Sequence, residues 1–305
     1  MNGLLIGLSL ASIWLIAALG LAIIYGTMGV INMAHGEFIM LGAYSAYVLQ
    51  TLLGLPYLLT LPGAFLIVAV IGWGIERGLV RYLYKRPFDT MLATWGVSLI
   101  LIQGVRLIFG ADPKYIGTSG IAGGAGAGEG LEQGAQLGNW MTTNFDLGMF
   151  HLSWFRVFIF GVTIAVFIMT WYVMYRTHWG IKVRAVTQNR DMAVSHGINA
   201  GRVYGLTFAY GAGLAGIAGA MFGVIKNVFP NMGGDYVVEA FMVVVVGGVG
   251  HLIGSMVSAT TLGELHAVFA YFTNGTFARF VLFIIIVIFL RFRPQGIFAE
   301  GTMRR

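Results

Sequence analysis

The side chains in this sequence that could do chemistry stand inside or beside long apolar runs. His35 and Glu37 follow Asn32 at the head of the second run, Glu239 opens the seventh, and Glu264 and His266 sit in the middle of the eighth. A charge held within a membrane span costs about 3 kcal/mol or more unless it meets a partner or a wet cavity, so each is a functional candidate. His35 and Glu37 are two residues apart, which turns them to different helix faces and argues against a shared metal. Their structural role would be to hydrogen-bond backbone groups freed by nearby glycines; their functional role would be a gate or constriction. Glu239 and Arg279 are placed to form a structural ion pair. Glu264 either faces the bundle interior or hydrogen-bonds Ser258 or Thr260. Thr94, Trp95, Ser98 and Gln103 could line a polar, uncharged path along the fourth run. The candidate path or gate is thus Asn32, His35, Glu37, Thr94, Ser98, Gln103, Glu239 and Glu264.

Catalytic spacings are missing. The chain has no Gly-x-x-x-x-Gly-Lys-[Ser/Thr], no His-Glu-x-x-His and no Gly-x-Ser-x-Gly, so it cannot cradle ATP in a P-loop of its own and reads as a non-enzyme without cofactor or metal. With no cysteine, disulfides and thiolate metal sites are excluded. Any uphill transport must draw on an ion gradient or on a partner.

The elements that position these residues are membrane helices. Of the 305 residues, 58% are hydrophobic and 10% charged, with 45 glycines. Soluble domains carry about 25% charged residues, and glycine enrichment suits helices packed closely in lipid. At about 20 apolar residues per crossing, the spans fall near 3–25, 33–53, 57–75, 90–109, 154–175, 203–225, 237–250, 255–272 and 277–290. The expected fold is an all-α polytopic membrane protein, 1–305 forming a single permease-like domain of nine transmembrane helices, with eight to ten compatible with the pattern. The seventh and ninth runs are short enough to be tilted, broken or re-entrant. The first run lacks a basic leader and is expected to be retained.

Charge sets the orientation. Segment 76–89 carries Arg77, Arg81, Lys85 and Arg86, and the tail carries Arg291, Arg293, Arg304 and Arg305; segment 110–153 has Lys114 against Asp112, Glu129, Glu132 and Asp146. The positive-inside rule makes 76–89, 176–202 and the C-terminus cytoplasmic, 110–153 an extracytoplasmic loop, and the N-terminus outside. The net charge of +6 is orientation charge rather than a nucleic-acid footprint. Within 110–153, the Gly/Ala-rich stretch 117–139 reads as a flexible insertion or a cap. A faint internal echo links Val30–Glu37 with Val246–Gly254.

Between the fifth and sixth spans lies a polar island, 176–202. Asn189 reads as an N-cap, Arg190 to His196 as a short helix and Gly197 as its C′ stop. A compact helix in a cytoplasmic loop favours the membrane subunit of a pump, driven by a docked ATPase. The competing class is a secondary transporter or channel in which Glu264, His266 or Glu37 couples to protons.

Two stretches carry a family resemblance. Gly29-Val-Ile-Asn-Met-Ala-His-Gly-Glu-Phe-Ile-Met-Leu-Gly42 and Trp179-Gly-Ile-Lys-Val-Arg-Ala-Val-Thr-Gln-Asn-Arg-Asp-Met-Ala193, followed by Gly197-Ile198, resemble the branched-chain amino acid ABC importer permeases. The likeness covers nearly the whole chain. It implies a multi-pass permease of the bacterial inner membrane working with a second related permease, two ATP-binding subunits and a periplasmic substrate-binding protein. It also implies that Gly180, Lys182, Arg184, Asn189, Arg190, Asp191 and Gly197 belong to the ATPase-coupling segment. Arg86–Leu101 and Tyr236–Gly250 look like the urea-type permeases, with two departures: Glu239 replaces an expected Asp, and 120–138 is unlike the usual outer loop. The resemblance therefore implies urea or a similar small amide as cargo, with branched-chain or other amino acids as the alternative.

Overall fold

A computed structural model describes residues 2–84, 86–116, 144–146 and 151–298. The Gly/Ala-rich stretch 117–139 and Lys85, Glu129, Glu132, Arg304 and Arg305 lie outside the described residues. The chain forms α1 (Asn2–Met28), α2 (His35–Thr51), α3 (Tyr57–Gly78), a 3₁₀ turn (Val80–Tyr82) and α4 (Pro87–Phe109). A pair of three-residue antiparallel strands, Asn144–Asp146 and His151–Ser153, precedes α5 (Trp154–Arg176). Next come α6 (His178–Gln188), α7 (Arg190–Ser195), α8 (Ala200–Ile225), α9 (Met232–Gly247), α10 (Leu252–Phe272) and α11 (Gly275–Phe292).

Helices occupy all nine expected positions, but among the described residues seven are long and apolar enough to cross a membrane. The exceptions are α2 with 17 residues and α9 with 16. At about 1.5 Å per residue these reach only about 25 Å, short of the about 30 Å hydrocarbon core. Burial explains how short helices are tolerated. α1 and α8 form the centre, with 89% and 83% of their apolar windows buried, while α3, α4, α5 and α11 carry 17–28%. The peripheral helices present Leu, Ile, Phe and Trp outward, as a lipid-facing shell requires. Enclosed by that shell, α2 and α9 need not match the bilayer thickness.

Small residues set the central approaches. α1 crosses α8 at Gly20 and Gly211, and α2 crosses α8 at Gly42 and Gly216; a Cβ built on any of these would run into the facing backbone or side chains. A Cβ on Gly42, for example, would lie 2.5 Å from the Gly216 Cα. The arrangement has a pseudo-twofold character. α3 packs along α8 as α10 packs along α1, α2 meets α3 as α9 meets α10, and α2 meets α9 across the centre. The faint echo between Val30–Glu37 and Val246–Gly254 marks a different register: Gly36, at the head of α2, faces Gly233, at the head of α9. The heads related by the fold do share a short pattern, Asn32-Met33 then Gly36-Glu37-Phe38 against Asn231-Met232 then Gly234-Asp235-Tyr236, one residue shorter between the two parts.

Candidate functional site

The heads of α2 and α9 meet halfway along α1. His35 Nε2 lies 3.0 Å from the Ala17 carbonyl oxygen, and Ala17 is near the midpoint of α1 (Asn2–Met28). Gly29, at φ +65°, ends α1 in the left-handed region open to glycine, with its N–H donating to Tyr25 O at 2.8 Å. Residues 30–34 then climb back beside α1 before α2 begins. From there α2 runs with α8 toward the far end, while α9 runs to α1's last turn, where Gly250 lies against Gly26. Gly36 and Gly233 touch: a Cβ on Gly36 would lie 2.8 Å from the Gly233 carbonyl carbon, and one on Gly233 2.5 Å from Gly36 O. Both are short helices whose positive dipole ends point to the bundle centre.

Most of the expected path residues gather at this junction. Ser98 Oγ donates to Glu37 Oε1 at 3.0 Å, and the Met33 N–H donates to Thr94 Oγ1 at 3.1 Å. Asn32 Oδ1 accepts the Ala34 N–H at 3.1 Å. Asn32, His35, Glu37, Thr94 and Ser98 are all buried. Three of their atoms, Asn32 Nδ2, His35 Nδ1 and Glu37 Oε2, have no hydrogen-bond partner among the described residues. The polar stripe of α4 (Thr90, Thr94, Ser98) thus covers the head of α2.

Gln103 departs from the expectation. It is exposed, because five residues past Ser98 the helix has turned by about 140° at about 100° per residue. Glu264 departs too: it is half-buried on α10 beside Gly7 of α1, and Ser258 and Thr260 donate instead to backbone carbonyls on α9 and α10. Both hydroxyls stand on Glu264's own helix, where a backbone carbonyl one turn back is the nearer acceptor. Glu239 forms the anticipated ion pair, with Arg279 Nε 3.1 Å from Glu239 Oε1. His266 packs edge-on to Trp14 at 5.6 Å between ring centroids.

The polar island folds into two helices, α6 and α7. Thr177 caps α6 by accepting the Gly180 N–H at 3.2 Å. Gly180 fits beneath the end of α5, where a Cβ would lie 2.5 Å from Val173 O. Asn189 Oδ1 accepts the Met192 N–H at 3.0 Å. At the other end, Gly197 (φ +81°) donates to Val194 O at 2.9 Å and Ile198 to Ala193 O at 3.0 Å, the paired bonds of a Schellman stop. Lys182, Arg184, Asn189, Arg190 and Asp191 are exposed, as are Ile181, Met192 and Val194. Arg184 donates to Met174 O and lies over the Tyr175 ring at 5.4 Å. A cleft of about 670 Å³ opens beside α6, bounded by Tyr25, Thr27, Met174, Arg184 and Gly250.

One cluster was not anticipated from sequence. Beneath α7, Arg190 lies 6.0 Å from the Tyr204 ring, and Tyr204 meets Tyr84 at 4.9 Å between centroids. The Tyr84 hydroxyl donates to the buried Glu76. Burial, reinforced by Glu76, pushes the Tyr84 phenol well above its ordinary range. The available signal was Glu76 itself, an acid closing an otherwise apolar run.

The family model described as "Branched-chain amino acid transport system / permease component" matches residues 3–290. The chain is 29% identical to the high-affinity branched-chain amino acid transport system permease protein BraD of Pseudomonas aeruginosa, covering 98% of this chain and 95% of that one. It is 27% identical to the permease LivH of Escherichia coli over 98% and 95% of the two chains. With the permease LivM of the same organism it shares 24% over 95% of this chain and 68% of that one. No solved structure matches. The chain belongs to the branched-chain amino acid transport system permease family.

Proposed function

We propose that this chain is one permease subunit of an ATP-driven importer for branched-chain amino acids. The observation that carries the reading is end-to-end similarity to permeases named for that cargo, BraD and LivH. The relatives named above are not urea permeases, so the urea reading gives way to its amino-acid alternative. LivH and LivM both align with this chain, which supports pairing with a second, related permease. Two ATP-binding subunits would dock on α6–α7, and a substrate-binding protein would deliver cargo at the opposite face. Nine crossings of a bacterial inner membrane, N-terminus outside and α6–α7 inside, complete the proposal.

In this scheme the chain does no bond chemistry. Closure of the ATPase pair pushes on the capped α7, and the spans on either side reorient to give alternating access. Reconstitution of the complete complex in liposomes tests it. ATP-dependent uptake of labelled leucine, with urea left outside, is the expected result; uptake of urea in preference to leucine would overturn the cargo assignment.

A further inference from the structure

The geometry points to a zwitterion-binding station at the junction of α2 and α9, with Asn32 receiving the α-carboxylate of an amino acid and Glu37 its α-ammonium. This rests on the amino-acid reading above.

Two half-helix heads converge there, and a helix head favours a carboxylate through its dipole, although the N–H groups of Met33, Ala34, His35 and Glu37 already have acceptors. A helix head alone selects any anion; the side chains around it narrow the choice. Asn32 is fully buried, spends its carbonyl oxygen on capping the backbone, and leaves its amide N–H₂ without an acceptor among the described residues. Glu37, on the next turn, takes one hydrogen bond from Ser98 and leaves its second oxygen without a donor. A buried carboxylate holding a single hydroxyl partner is incomplete, and a buried amide donor is costly to leave unmade. The two vacancies are opposite in kind. An acceptor is missing at one and a cationic donor at the other, and an α-amino acid carries both on one carbon. Urea or a simple amide has no charge to offer Glu37.

The junction is closed in this structure, since Gly36 and Gly233 are in contact. Binding therefore requires α2 and α9 to part. Helix α4, which carries Thr94 and Ser98, buries only four residues and meets the bundle mainly through α2, so it can move with the head of that helix. The two glycines would keep the closed contact tight when no cargo is present.

The test uses the complete reconstituted complex. Glu37→Gln keeps an acceptor for Ser98 and removes the charge; Asn32→Asp keeps the size and turns a donor into a repelling anion. Each should lower leucine uptake by about tenfold or more, the scale of one lost charge-assisted hydrogen bond. Stimulation of ATP hydrolysis by the liganded binding protein should persist. A second measurement needs no variant. A leucine analogue with a diazirine in its side chain, photolysed during turnover by the unmodified complex, should label peptides within 29–42 or 229–240. Uptake within twofold of the parent in both variants overturns the site, as does labelling confined to other segments, including the cleft at Met174 and Arg184. Failure of the unmodified complex to import leucine at all would instead strike the amino-acid reading.

Discussion

At the scale of single residues, the buried acids divide by the partner each has found. Glu239 has Arg279, Glu37 has Ser98, and Glu76 has the Tyr84 hydroxyl. Tyr84→Phe deletes that donor and leaves Glu76 buried without it, so it should destabilise the folded chain by about 1–3 kcal/mol. Thermal unfolding in detergent measures this; Glu76→Gln in the same background should recover part of the loss, because a neutral amide costs less to bury than a carboxylate. An unchanged unfolding midpoint for Tyr84→Phe would show that the contact contributes nothing. Sequence reading reached Asn189 and Gly197 because capping is local: donor and acceptor lie within a few residues and the residue types are restricted. The pairing of Ser98 with Glu37 was only half legible, since both were named as polar groups on apolar runs but nothing in the chain announces a contact 61 positions apart. Gln103 lies on the exposed face of α4, a placement that a count of polar residues along the helix does not give.

Among elements, α7 shows how a short helix is kept in place. Six residues are far too few for a helix to hold itself together in water. The Asn189 cap, the Gly197–Ile198 stop and the contact of Arg190 with Tyr204 supply what length does not. Through Tyr204 and Tyr84 the same helix touches α8 and, via Glu76, the end of α3. A push on α7 is thereby applied to a central helix and a peripheral one together. Arg190→Glu, or a glycine inserted within 189–196, should leave membrane insertion intact while ATP-driven uptake falls by about tenfold or more, a loss equal to about 1.4 kcal/mol of coupling. Uptake equal to the parent's would show that docking does not pass through this helix. Helix α6 was hidden in the same polar island, since its buried apolar side chains, Val183 and Val186, are too few to show a period in sequence. The broken character of α2 was hidden for a related reason: its composition is that of a span, and only the return of 30–34 along α1 reveals where it starts.

For the whole molecule, the open question is how many helices pass fully through the bilayer, and orientation depends on the answer. Seven and nine are both odd, so either count puts the termini on opposite sides. The loops between them differ. If α2 and α9 did not cross, segments 76–89 and 176–202 would lie on one side and the basic C-terminal tail on the other, against the positive-inside rule. The fold argues for crossing: α1 ends beside α6, where Arg184 and Tyr25 border one cleft, whereas α3 starts near the far end of α8, with Tyr57 Oη donating to Ala220 O at 3.2 Å. Helix α2 must carry the chain between those ends, and it does so by beginning halfway, after the return of 30–34. The absence of cysteine makes a direct test clean. In intact cells, Asp112→Cys should react with a membrane-impermeant maleimide, and Tyr82→Cys should react only after the membrane is opened. The reverse pattern would move α6–α7 to the outer face, away from any cytoplasmic ATPase. Proton coupling is addressed at the same scale. Glu264→Gln should leave ATP-dependent uptake unchanged in level and in pH profile, because Glu264 sits half-buried beside Gly7, apart from the junction of α2 and α9. A pH-shifted loss of uptake in that variant would place a proton in the transport cycle and return the chain to the secondary-transporter class.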